Sequence, residues 1–598
     1  DIGGTGRLAN TASGWITATG AGSLFPALDN AGLLQVDAPN QTLALRGAFS
    51  HSGTLDLRSG TLDVLGPFAN LAGGTLTGGS YLLRGTLRHT GAGIRSIAAD
   101  VTLAGTGAFL RNGSQQSLFD TLDLVAAGGR LTVAEGRDFT LASRPLSIEG
   151  EFRVGEGSSF FAQAGNLAGS GLLRVASGGL LAWGGATLNS TGTLQVDAGG
   201  VLRIGGGGNH DLERRTLVND GTVVWDGGAL RGGSGTTYIN NGLWRDESSG
   251  NAEFNRAYGG HDGAFVNTGT YRKTTATVTT FAHTLRNQGV FEVQAGTLRL
   301  AGNSTHAGGS RFVVLPGSLL ELQGAQTFDD GVTLVGPTRL LGQATASGQM
   351  RASAFEIAGG NLQGTHRLDG NYRWTGGTLN GEGRTTIAST AQFTIAGGGH
   401  HDLERHLLVN DGTVVWEAGT LRGGSGTAYT NNGLWLDQTM ASAEFNRAYG
   451  GHDGEFLNTG IYRKTGASVT TFAHTLRNQG LFDVQAGTLH LAGASSFETG
   501  SQVTVATDAL LDLRGAHVIA DGVTLSGPTR LFGNAIVSGH LTASAFEVAG
   551  GVLAGTHTLH GQFRWTGGNL NGSGTTTIAS DGVFTIASGG HREVAAVG

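Results

Sequence analysis

The strongest constraint on this chain is a corner that keeps returning. Between Asn410 and Leu436 the sequence NDGTVVWEAGTLRGGSGTAYTNNGLWL reads as one turn of a coil. A polar corner (Asn410, Asp411, Gly412) leads into a β-rich run from Thr413 to Trp416. A glycine corner, a second run at Thr420 and Leu421, and a new polar corner (Asn431, Asn432, Gly433) complete it. Glycines that precede an apolar run then recur at Gly412, Gly433, Gly460, Gly480, Gly500, Gly522, Gly539, Gly561 and Gly582, with steps of 21, 27, 20, 20, 22, 17, 22 and 21 residues. A period of about 20 residues means that each unit cannot bury its apolar face alone and must stack on its neighbours, which is the logic of a solenoid.

A longer period lies over the first. Trp225 and Trp416, Phe254 and Phe445, Tyr271 and Tyr462, His283 and His474, and Trp374 and Trp565 are each separated by 191 residues. Nine coils of about 21 residues therefore make one large repeat. The segment AEFNRAYGGHDG stands unchanged at Ala252 to Gly263 and at Ala443 to Gly454, and FAHTLRNQG at Phe281 to Gly289 and Phe472 to Gly480. The chain reads as one continuous solenoid: irregular coils over 1–182, a first large copy over 183–373, a second over 374–564, and the start of a further copy over 565–598. Gly589, Gly590 and His591 align with Gly398, Gly399 and His400, so the sequence is expected to be part of a longer chain.

Within the coils, runs such as GLLQVDA (Gly32 to Ala38) and ADVTLAGTGAFL (Ala99 to Leu110) alternate apolar with small or polar residues. Period two means strand, and Gly, Asn and Asp supply the turns between strands. No helical period is sustained. A propeller needs about 40 residues per blade, and a sandwich needs two-residue hairpin loops, which are not the rule here. The spacing predicts an all-β fold, a parallel β-helix of about 28 coils, right-handed by the crossover preference of parallel strands. Inward residues should form stacks, with Trp183, Trp374 and Trp565 in one type of coil and Trp225 and Trp416 in another. Corner amides at Asn219, Asn241, Asn267 and Asn287, and at Asn410, Asn432, Asn458 and Asn478, are expected to bond from turn to turn.

Composition sharpens this picture. The 107 glycines would suit a disordered linker, but 39% of residues are apolar, enough to fill a linear core. The absence of cysteine removes disulfides, zinc–thiolate sites and thiol nucleophiles. A net charge of −7 with no basic block argues against nucleic acid as a partner. No apolar run approaches the roughly 18 residues of a membrane-spanning helix.

With these coils in view, NAGLLQVDA (Asn30 to Ala38), GGTLTGGSYLLRGTLRHTGAGI (Gly73 to Ile94) and NQGLFDVQAGTLHLAG (Asn478 to Gly493) resemble the repeats of large bacterial exoproteins, the filamentous-haemagglutinin-type adhesins and autotransporter passengers. The resemblance covers essentially the whole chain and rests on repeat grammar, not on a catalytic signature. It implies a right-handed parallel β-helix that is secreted and displayed at the surface of a Gram-negative bacterium. Neither the Asn-Pro-Asn-Gly secretion motif nor a membrane barrel of that family lies within these residues, which leaves the export route open.

Three constellations could carry chemistry. The first is FNRAYGGHDG, in the coil lengthened to 27 residues, with Asn255, Arg256, Tyr258, His261 and Asp262 and the copies Asn446, Arg447, Tyr449, His452 and Asp453. Such loops are where binding residues are commonly placed, and these side chains suit a sugar or a carboxylate. The plainer reading folds the loop over the coil, pairs Arg256 with Asp262 and tucks Phe254 inward. The second is NHDLER and HHDLERH, where His400, His401 and Asp402 are metal-ligand types. Asn209 replaces His400 in the first copy, and Arg592 and Glu593 replace the His-Asp pair in the third, so no metal and no cofactor is expected. The third is the acid pairs Asp211 and Glu213, and Asp402 and Glu404, which no other catalytic group joins. We therefore expect no enzyme but an extracellular adhesin stalk; the alternatives are a protomer of a self-assembling filament, sheath or biofilm matrix and, less favoured, a polysaccharide-active β-helix enzyme. The partners expected are further copies of itself or neighbouring domains of the same chain, and a glycan or host receptor.

Overall fold

A computed structural model of the chain describes residues 1–111, 114–233, 235–256, 263–424, 426–447, 454–572, 574–587 and 590–595. The chain divides into two compact units, Asp1–Asn303 and Ser304–Gly598, a division that falls inside the first 191-residue copy. Each unit is a parallel β-solenoid, and together they hold about 27 turns about 21 residues apart. The described helix is a single turn, Leu118–Thr121, capped by Ser117 and Asp120.

In the first unit a regular coil has three strands. Thr216–Asn219, Thr222–Trp225 and Ala229–Gly232 lie in parallel register on Thr237–Asn240, Leu243–Asp246 and Ala252–Arg256 of the next coil. Every second residue points inward, so Leu217, Tyr238, Phe265 and Leu285 occupy one fully buried column while their neighbours face out. Among the described residues, antiparallel pairing occurs in the irregular coils, as between Leu71–Ala72 and Thr75–Leu83. In the second unit the same columns recur. Phe445 stacks on Phe472 with centroids 4.5 Å apart, as Phe254 stacks on Phe281 at 4.4 Å in the first unit.

Within each unit the tryptophans of the two coil types share one column, while Trp244 and Trp435 lie in another, registered with Val223 and Val414. Trp183 registers with Ile204 and Ile204 with Trp225, just as Trp374 registers with Ile395 and Ile395 with Trp416. The two kinds of coil thus alternate along a shared stack. In the shared column the indole N–H donates to a corner carbonyl close by in sequence, as Trp183 does to Ala186 at 2.6 Å and Trp416 to Gly419 at 3.2 Å.

The corner amides bond from turn to turn as expected, in an inner and an outer series. In the first unit Asn219 donates to Asn240 Oδ1 at 2.7 Å, Asn240 to Asn267 at 2.8 Å and Asn267 to Asn287 at 2.9 Å. In the second, Asn410, Asn431, Asn458 and Asn478 repeat the series at 2.7, 2.7 and 2.8 Å. The inner rungs are thus Asn240 and Asn431, and Asn241 and Asn432 bond from turn to turn on the outside. In the Asn-Asn-Gly corner the first asparagine continues the inward parity of its strand and the second turns out, where Asn241 bonds Asp220 at 2.8 Å and Asn432 bonds Asp411 at 2.9 Å.

The buried amides also tie each corner to the next coil's backbone, as Asn458 Nδ2 does to Leu481 O at 3.2 Å. Asn458→Ala should therefore orphan polar atoms on both sides and cost about 2 kcal/mol or more, whereas Asn432→Ala at the outer rung should stay within about 0.5 kcal/mol. Urea unfolding midpoints of the two variants check this, and equal losses would sink the distinction.

Candidate functional site

The lengthened coils position the first candidate. Ala252–Arg256 and Ala443–Arg447 run as strands up to the loop, with Phe254 and Phe445 fully buried. Asn255 donates to Glu253 at 2.9 Å and Asn446 to Glu444 at 2.8 Å, so these two amides are held on the strand's outer face by an acid two residues before them. Tyr258, His261, Asp262, Tyr449, His452 and Asp453 lie outside the described residues, as do the side chains of Arg256 and Arg447 and the expected pairing of Arg256 with Asp262.

Beneath each of these coils lies a feature that the sequence reading missed. The Trp225 column continues into Asp246, Lys273 and Val293, and the Trp416 column into Asp437, Lys464 and Val484. An ion pair thus fills the core, with Lys273 Nζ 3.7 Å from Asp246 and Lys464 Nζ 3.5 Å from Asp437, all four side chains without solvent exposure. Asp437 accepts further bonds from the hydroxyls of Tyr462 (2.8 Å), Thr470 (2.6 Å) and Thr439 (2.8 Å) and from Thr439 N (3.0 Å). Asp246 is held likewise by Tyr271 (2.8 Å), Thr279 (2.5 Å) and Ser248 N (3.1 Å). Burial pushes the lysine pKa down, and the facing carboxylate opposes this. With no solvent exposure, these groups serve the packing of the coil core. A parity count would have found them, because in LWRD and TYRK the charged residue stands two places after an inward aromatic.

The histidine cluster does not converge. Along its strand His401 points in and Asp402 points out. His401 Nε2 bonds the carbonyls of Ala396 (2.8 Å) and Trp374 (3.1 Å), while Asp402 is gripped by both arms of Arg422 at 2.6 and 2.8 Å. His210 packs on Trp183 with centroids 5.4 Å apart, and Arg231 grips Asp211 at 2.7 and 2.9 Å. The alternation of a strand puts imidazole and carboxylate on opposite faces, so the residue types suit a metal and the geometry does not. For the same reason the acid pairs Asp211 with Glu213 and Asp402 with Glu404 share an outer face, but Arg231 and Arg422 occupy one acid of each pair.

A third arrangement belongs to the second unit and was not singled out in the sequence. Where the coils shorten to 17–18 residues, Val332–Leu340 lies on Gly348–Ile387 and Val523–Leu531 on Gly539–Val548. Each strand bends without a loop at Gly336-Pro337 or Gly527-Pro528, with glycine φ values of 91° and 99°. A Cβ at either glycine would lie 1.8 Å from the carbonyl oxygen of Val314 or Val505, so no other residue fits. The outward sheet faces meeting at this bend leave a groove of about 360 Å³ beside Pro337, Arg339, Ala354, Glu356 and Arg373. The second copy has one of about 700 Å³ beside Pro528, Arg530, Ala545, Glu547 and Arg564. The only sequence signal was the 17-residue step between Gly522 and Gly539.

No family model matches the chain. Over 284 aligned residues the chain is 26% identical to the adhesin BmaC autotransporter of Brucella suis biovar 1 (strain 1330). It is similar to a stretch of an autotransporter adhesin. The alignment covers 43% of this chain and 8% of that protein, so the chain spans a small part of the relative's length. Together with the parallel solenoid, this likeness fits an autotransporter-passenger-like β-helix and suggests a surface or secreted location.

Proposed function

We propose that the chain is a non-enzymatic stretch of a surface-displayed or secreted Gram-negative adhesin passenger. The observation that carries this reading is the likeness to an autotransporter adhesin in a chain that is a regular parallel solenoid. Mechanistically, the coils are scaffold: within each unit paired strands, an amide ladder and a buried ion pair hold the strand that carries Asn255 or Asn446. Repeated weak contacts then act together, and avidity makes up for a low affinity at each.

Beads coated with the chain test this. They are expected to attach to cultured epithelial monolayers at least about tenfold more than albumin-coated beads, since multivalent display multiplies weak affinity. Attachment equal to albumin would overturn the adhesive reading. Filaments or sheets growing from the purified chain, with no attachment, would favour the structural polymer instead.

A further inference from the structure

We propose that the two grooves of the unit Ser304–Gly598 bind an extended carboxylate-bearing polysaccharide along the coil stack. This deepens the adhesive reading and rests on it.

The first argument is charge placement. In each groove the acid is sunk and the arginine raised: Glu356 is 28% exposed against 43% for Arg339, and Glu547 28% against 39% for Arg530. Beside the second groove the pattern is stronger, with Asp512 2% exposed under Arg514 at 51%. The sunk carboxylates are already engaged. Glu356 takes Arg339 Nε at 2.9 Å and the Thr375 hydroxyl at 2.8 Å, and Glu547 takes Arg530 Nε at 3.0 Å and the Thr566 hydroxyl at 2.8 Å. Each acid accepts from Nε and so anchors the arginine by its inner nitrogen, while the arginine side chain stays partly exposed. Planar guanidinium edges held in this way suit a carboxylate.

The second argument is shape. The bend removes the loop that would cover the sheet, and small residues (Pro337 and Ala354, Pro528 and Ala545) form the floor. One register column runs Asp512, Arg530, Glu547 and Arg564 from coil to coil, so a guanidinium recurs at every second coil with its anchoring acid between. An occupant that meets them all must be extended in that direction. The strands lining the groove are paired with the coils on either side, so no backbone edge is offered to a peptide strand. A polymer carrying hydroxyls and repeated carboxylates matches side-chain donors over a small-residue floor. Two equivalent grooves in one unit would let a single polymer bind twice.

The test is titration of the full chain with fluorescently labelled alginate, with neutral dextran and poly-glutamate of similar length as competitors. Alginate is expected to bind, and binding should weaken as salt rises from about 50 to about 500 mM. Arg339→Gln/Arg530→Gln should lose about tenfold or more in affinity, given two grooves acting together. Ala354→Glu/Ala545→Glu, which adds carboxylates to an exposed floor, should do the same and guards against a folding defect in the arginine variant. Arg463→Gln, at a guanidinium paired with Asp483 outside the groove, should leave binding within about twofold, since the lost charge is a screened surface one. Equal binding of dextran, or poly-glutamate matching alginate, would overturn the polysaccharide class. Unchanged affinity in both groove variants would overturn the site. Beads that attach to cells while the chain ignores alginate would remove the groove inference and leave adhesion standing; alginate binding without attachment would do the reverse.

Discussion

Asp437→Ala is expected to be among the most damaging single substitutions in the second unit, costing about 3–5 kcal/mol. The carboxylate accepts from three hydroxyls and a backbone amide and faces Lys464 at 3.5 Å, all out of contact with water. Truncation leaves the ammonium without a counter-charge and the hydroxyls of Tyr462 and Thr470 without an acceptor. Lysine can shed its proton, which caps the loss at the free energy of moving its pKa below neutrality. Asp437→Asn keeps an acceptor but not the charge and should fall between wild type and alanine. Asp437→Leu/Lys464→Met removes both charges and should recover much of the loss, because two buried ions carry a desolvation cost that an apolar pair does not. Urea unfolding at neutral pH measures all three. A loss below about 1 kcal/mol for Asp437→Ala would show that the pair does not hold the coil.

Acid should loosen the solenoid over a defined window. Burial holds His89, His210, His306 and His517 down to about 4 and His366 to about 3. His366 is lowered further by His406, which shares the Thr385 hydroxyl with it at 2.9 Å against 3.0 Å. An unfolded histidine takes its proton near pH 6.5, so below that value the unfolded chain binds more protons than the folded one. The contribution of these rings is complete above about pH 6.5 and is lost as pH falls towards 4, at about 3 kcal/mol per ring. Thermal unfolding midpoints should accordingly drop by more than about 10 °C between pH 7.5 and 4.5. His306→Gln should make the curve shallower, since a neutral amide can still face Gln326, which His306 meets at 3.0 Å. A midpoint that stays level across the window would mean that the rings accept protons without unfolding.

The sequence by itself determined the architecture. Corner spacing, two-residue alternation and the glycine-rich turns left the parallel solenoid as the one arrangement able to bury a repeated apolar face, and the structure shows it. The turn-to-turn amide bonds were legible too, Asn241 and Asn432 included, but the inner rungs Asn240 and Asn431 were not, because a motif such as Asn-Asn-Gly does not say which amide keeps inward parity. Parity is settled by the pairing of whole strands. The His-Asp segments show the same limit: residue type suggested a shared site, while strand alternation placed His401 and Asp402 on opposite faces.

Only the tertiary structure decided what meets across coils. Asp246 and Lys273 stand 27 residues apart and become neighbours because a lengthened coil still registers strand on strand. The grooves arise where two short coils bend at a glycine with no loop, a consequence of backbone path rather than of any motif. A solenoid turns distance along the chain into contact once per coil, and coil length varies from 17 to 27 residues. Contacts between coils therefore follow the register, which no single stretch of sequence states.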